Sequence, residues 1–175
     1  HNNLCNILRD LGKFKEALIP ARKAIQLKSN YSEAYSNLGN ILRDLGQLKE
    51  AEQSFRKAIE INPKYSEAFC NLGGVLIDFD KLNEAVHCLR TAVTLNPNFA
   101  EAHLNLGSSL RNLGKLKESE KALVRAIKIK PEVVRSYFVL STLNSPFYKE
   151  EWEGNVFSED ILNQLSDVDK IDVYF

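Results

Sequence analysis

The chain is predicted to be all-α, a solenoid of helix hairpins closed by a capping helix, and three observations predict it. Pro63, Pro97 and Pro131 are spaced by 34 residues, and Gly39, Gly73 and Gly107 keep the same spacing. Between these marks the apolar residues fall into two blocks at helical spacing, as in Ala34, Leu38, Ile41, Leu42 and Leu45, then Leu48, Ala51, Phe55, Ala58 and Ile59. A fixed period of this length is the mark of a repeat array.

The units follow in an unbroken register. Residues 1–31 form a first unit that lacks its opening three positions, and 32–65, 66–99 and 100–133 are full copies. In each, the first helix must end at Gly12, Gly46 or Gly114, where glycine takes the left-handed backbone of a helix cap without a Cβ penalty. Asp80 stands there in the third unit, at some cost. Small residues are expected to face each other where the two helices cross: Gly39 against Ala51, Gly73 against Ala85, Gly107 against Ser119. The "NP" at 62–63 and 96–97 closes the second helix, because proline disfavours helix in the residue before it. Pro20 lies inside the second helix of the first unit and is expected to bend it or shorten its start. A capping helix over 134–144 is expected to cover the open end with Val134, Tyr137, Phe138 and Leu140. Residues 145–175 lose the period; Ser158 and Ser166, each followed by acids, read as helix starts, and the apolar ending "DVYF" reads as a tail leading into a further domain.

Composition narrows the functions. Lys plus Arg equals Asp plus Glu, so there is no basic excess to neutralise phosphates, which disfavours nucleic acid as the partner. No apolar run approaches the roughly 20 residues of a membrane span, and neither a secretory leader nor a lipidation motif is found. Cys5, Cys70 and Cys88 are odd in number and lack CxxC or ligand spacing, which fits reduced thiols in a cytoplasmic protein. The chain opens on His1 and holds no methionine, so it reads as an excerpt of a longer product.

One stripe of each first helix is left unexplained by packing. Places 2, 6, 9 and 13 of the repeat share a helical face. In the second unit it reads Glu33, Asn37, Asn40 and Asp44, in the third Glu67, Asn71, Gly74 and Asp78, in the fourth Glu101, Asn105, Ser108 and Asn112. The first unit gives Asn3, Asn6 and Asp10. Asn3, Asn37, Asn71 and Asn105 thus form a ladder, Asp10, Asp44, Asp78 and Asn112 a second row, and Arg9, Arg43 and Arg111 stand beside it. Asparagine is a mediocre helix former, so propensity does not place it four times at one phase. Its amide both donates and accepts, which suits the backbone of an extended peptide whatever that peptide's side chains. The charged row would add selectivity. The competing explanation is shared duplication and a merely solvated face, which weighs equally for the charges.

No catalytic constellation is found. "GSSLRNLGKL" at 107–116 has six residues between its glycines where a phosphate loop has four, and Leu116 after its lysine. His87 and His103 have no ligand partner in sequence, and His103 occupies a packing position. No metal or cofactor is implied.

These residues resemble the tetratricopeptide repeat: an aromatic or His at the fourth place (Tyr35, Phe69, His103), Leu-Gly at the seventh and eighth, Ala at the twentieth and twenty-seventh, and Pro at the thirty-second. The departures are Cys5 at the small eighth place, Ser29 for the proline, and Pro20. The resemblance implies a right-handed superhelix that binds an extended peptide or partner segment in the groove lined by the first helices, as a non-catalytic scaffold. The ladder at Asn3, Asn37, Asn71 and Asn105 looks like that of O-linked N-acetylglucosamine transferase, which holds acceptor polypeptide by its backbone. "NVFSEDIL" and "KIDVYF" look like the segment joining such arrays to sulfotransferase-like domains in marine cyanobacteria. The alternative those two likenesses imply is a substrate-recognition arm of a larger transferase.

Overall fold

The computed structural model describes residues 2–131 and 134–143, and among these there is no strand. The helices are α1 (Asn2–Asp10), α2 (Phe14–Leu27), α3 (Ser32–Asp44), α4 (Leu48–Ile61), α5 (Ser66–Asp78), α6 (Leu82–Leu95), α7 (Ala100–Asn112), α8 (Leu116–Ile129) and α9 (Val134–Ser141). The chain divides between Asn96 and Pro97 into two compact units. The first holds the hairpins α1/α2, α3/α4 and α5/α6, with α2 packed on α3 and α4 on α5. The second holds the hairpin α7/α8, with α9 packed on α8. The expected helices at Ser158 and Ser166, and the rest of the tail, lie outside the described residues.

Packing, more than capping, starts these helices: α2 to α8 begin without a side-chain capping bond. Their ends are built by backbone geometry. At the end of α3 the Gly46 N–H donates to the Arg43 carbonyl at 2.9 Å and the Gln47 N–H to Leu42 at 2.8 Å, a Schellman arrangement. It needs a left-handed residue, and Gly46 has φ 75°. Asp80 meets the same demand after α5 with φ 58°, and closes the same two bonds, to Ile77 and from Lys81 to Leu76.

The hairpins close on a pairing beyond the expected one. A Cβ at Gly39 would stand 2.7 Å from the Phe55 ring, at Gly73 2.7 Å from Leu89 Cγ, and at Gly107 2.6 Å from Leu123 Cγ. The bulky residue four places after the expected alanine therefore fills the glycine notch, because side chains of α4, α6 and α8 lean toward the N-terminal turn and over the crossing. Ser119 does meet Gly107 as expected: its Oγ donates to the Gly107 carbonyl at 2.7 Å. In the first hairpin the sizes are exchanged, with Cys5 in the glycine place and Ala21 in the place of Phe55, and both are fully buried.

Pro20 does not shorten its helix. It sits buried within α2, which keeps the 14 residues of α4, α6 and α8. Buried Ala17, Ala21 and Ala24 hold the helix through the lost hydrogen bond. Tyr137, Val139 and Leu140 of α9, with Leu143 just beyond it, join Leu104, Leu123, Ala126 and Ile127 in one core. Phe138, expected to cover that end, is 54% exposed, since 136, 137, 140 and 143 make one helical face and 138 points away from it.

Candidate functional site

The polar stripe runs along α1, α3 and α5 in the first unit and along α7 in the second. Asn3 and Asn6 are exposed, whereas Asn37, Asn40, Asn71 and Asn105 are half-buried. Asp10, Asp44, Asp78 and Asn112 are exposed, and Arg9, Arg43 and Arg111 are half-buried. At the start of the stripe Ser32 donates to Glu33 at 3.2 Å and Ser66 to Glu67 at 2.9 Å.

The structure joins the charged row across hairpins. Arg9 Nε donates to Asp44 Oδ2 at 2.6 Å, and Arg43 Nε to Asp78 Oδ2 at 3.2 Å. Both pairs tie the twelfth place of one repeat to the thirteenth place of the next. With side chains 39% and 27% exposed in the first pair, and 39% and 38% in the second, each is worth only about 0–1 kcal/mol in stability. The sequence carried a signal for them: one step further along the same offset, residue 77 is Ile and residue 112 is Asn, so both members are missing together. In the second unit Arg111 instead donates to Thr142 Oγ1 at 2.9 Å and to Asn112 Oδ1 at 3.4 Å.

Gly74 is the stripe residue whose role the sequence did not disclose. It is buried, and a Cβ there would lie 3.1 Å from Arg43 Nη1 and 3.3 Å from Cζ. The Arg43 guanidinium is therefore seated on the α5 backbone. The other units have Asn6, Asn40 and Ser108 at this place, so the available signal was a lone glycine next to the packing glycine Gly73.

Other reactive groups are set by packing. His103 places Nε2 3.1 Å from the Pro97 carbonyl, and its Nδ1 is buried with no hydrogen bond among the described residues. Burial lowers its pKa, with Arg125 acting the same way and the Pro97 contact opposing. Cys5, Cys70 and Cys88 are buried and form no disulfide, and burial pushes the Cys5 and Cys88 thiols up. Among the described residues no group of His, Cys, Asp and Glu is arranged to hold a metal, and no helix is long and apolar enough to cross a membrane.

The fold has many solved counterparts. Crystalline MamA superposes with a TM-score of 0.71 at 23% identity, over 97% of this chain and 92% of that one. A MamA fragment from Desulfovibrio magneticus gives 0.72 at 24%, over 81% and 80%. YrrB, described as a TPR protein with an unusual peptide-binding site, gives 0.68 at 27%, over 98% of this chain and 83% of that one. No curated protein matches the sequence significantly. Sequence models described as tetratricopeptide repeat match residues 32–65, 54–87 and 100–133, and one described as TPR repeat matches 75–114. These matches together run over more than half of the chain, which therefore belongs to the tetratricopeptide repeat family.

Proposed function

We propose that this chain is a non-catalytic protein-interaction module that takes an extended peptide or partner segment along its first helices. The units at 1–31, 32–65, 66–99 and 100–133 are the binding array in this reading, with 134–144 as its cap. The observation that carries it is the asparagine at one phase of every first helix. Asn37, Asn71 and Asn105 are half-buried. An amide's paired donor and acceptor match one peptide unit, which favours main-chain recognition. The peptide-binding site described for YrrB, which shares the fold, supports the same class of ligand. Balanced charge argues against nucleic acid. Three cysteines outside any disulfide fit a reducing, cytoplasmic setting.

The test is a peptide-array screen of the chain against its Asn37→Ala/Asn71→Ala variant. Binding is expected to weaken across the bound peptides while helicity and melting temperature stay nearly unchanged. Loss of the fold in that variant would make the ladder structural, and unchanged binding would remove it from the site.

A further inference from the structure

We propose that Arg9 and Arg43 offer the outer edges of their guanidinium groups to main-chain carbonyls of the extended segment, so that the ligand is an uncharged or basic polypeptide and not an acidic one. This rests on the groove reading above and adds to it the donors and the charge of the ligand.

A guanidinium presents five N–H donors in a rigid fork. In both arginines Nε is held by the aspartate of the following hairpin, and the side chain stays 39% exposed. Holding Nε fixes the plane of the group, so Asp44 and Asp78 act as positioning residues for the remaining edge. Arg43 is oriented further by its seat on Gly74, where an added Cβ would stand 3.1 Å from Nη1 and crowd the group. That seat lies at the ninth place of the stripe. An arginine aimed in advance loses less freedom when a ligand arrives.

Charge decides what such a fork would take. Helices α1, α3 and α5 carry Asp10, Glu33, Asp44, Glu67 and Asp78 against Arg9 and Arg43 alone, and contain no lysine. Each guanidinium is balanced by its own aspartate, and the remaining carboxylates leave an acidic surplus. A carboxylate approaching this surface is repelled by like charge. The neutral acceptor that recurs along any extended chain is the main-chain carbonyl, which also needs no particular side chain beside it.

The experiment follows fluorescence anisotropy of a labelled Ser/Ala/Gln-rich peptide and of its Glu-substituted and Lys-substituted versions. The neutral and lysine probes are expected to bind and the glutamate probe to bind more weakly. Arg43→Gln should weaken the neutral and lysine probes alike by roughly five- to tenfold, the size of one hydrogen bond from a charged donor. Arg43→Lys, which keeps the charge and loses the fork, should weaken them too, as should Gly74→Ala, with helicity unchanged in all three. Tightest binding of the glutamate probe, with Arg43→Gln erasing only that preference, would overturn the proposal in favour of carboxylate docking. Unchanged binding in Arg43→Gln would also overturn it, and a loss confined to Asn37→Ala/Asn71→Ala would then leave the ladder standing alone. A loss in Arg43→Gln without one in the asparagine variant would remove the ladder and keep the arginines. No saturable binding of any probe to the unsubstituted chain would sink both readings.

Discussion

Gly39 and Phe55 share one volume: the Phe55 ring lies where a Cβ on residue 39 would be, at 2.7 Å. The first hairpin divides the same volume as Cys5 and Ala21. Gly39→Cys is expected to destabilise the chain by about 1–3 kcal/mol through overpacking, and Phe55→Ala by about 3–5 kcal/mol through the cavity it leaves. Gly39→Cys with Phe55→Ala copies the first hairpin, so it should cost clearly less than the two single changes summed. Urea unfolding of the four proteins measures the coupling. A strictly additive result would mean the exchange of sizes is incidental.

Asp80 holds φ 58° in a place where three other units have glycine. A left-handed residue with a Cβ costs roughly 1–2 kcal/mol, less for Asp, whose short side chain bonds locally. Asp80→Gly is expected to raise stability by about 0.5–1 kcal/mol, since glycine's larger unfolded-state freedom offsets part of the gain. Asp80→Val should lower it. Melting temperatures of the two variants give opposite signs if the cap is as described.

Ser136 is fully buried and its Oγ has no hydrogen bond among the described residues. The same place in the repeat is Ala34, Ala68 and Ala102, each with no exposure. Ser136→Ala removes an unpaired hydroxyl without changing the packing volume much, and should stabilise by about 1 kcal/mol. A drop in melting temperature would show that the hydroxyl has a partner.

His103 has its pKa lowered, mainly by burial. The folded state then binds the proton less readily than the unfolded chain, so unfolding takes up a proton as the pH falls. Stability should be unaffected above roughly pH 7 and should decline below about 6.5, the ordinary histidine value, until the folded pKa is passed. His103→Phe, which copies Phe69, should flatten this decline. Parallel melting curves at neutral and mildly acidic pH check it, and an equal decline in both proteins would assign it elsewhere.

Much of the fold was legible in the sequence because the period fixes so much at once. A repeat of 34 residues gives helix pairing, cap positions and core face together. The errors fell where a helix-level rule met a three-dimensional contact. Spacing set Gly39 against Ala51 but did not disclose that side-chain lean also brings Phe55 over the glycine. Phe138 was expected to help cover the open end, whereas its phase on α9 turns it outward. In the candidate site the stripe itself could be read from helical phase, but the Arg43 to Asp78 bond joins residues 35 apart on different helices. That pairing emerges only when one copy of the repeat is compared with the next. Gly74 was illegible for a simpler reason: a missing side chain gives no hint of the one that rests on it.

The straps Arg9 to Asp44 and Arg43 to Asp78 join neighbouring units, whereas the notch filled by Phe55 lies within one. A recombination event that excised residues 32–65 as a block would bring Arg9 into register with Asp78 and would take Gly39 away together with Phe55. Excision out of register would strand a large side chain against a large one. Loss or duplication of the 32–65 block therefore keeps the Arg-to-Asp joint matched, and the array can change length at that block without redesign of the joint.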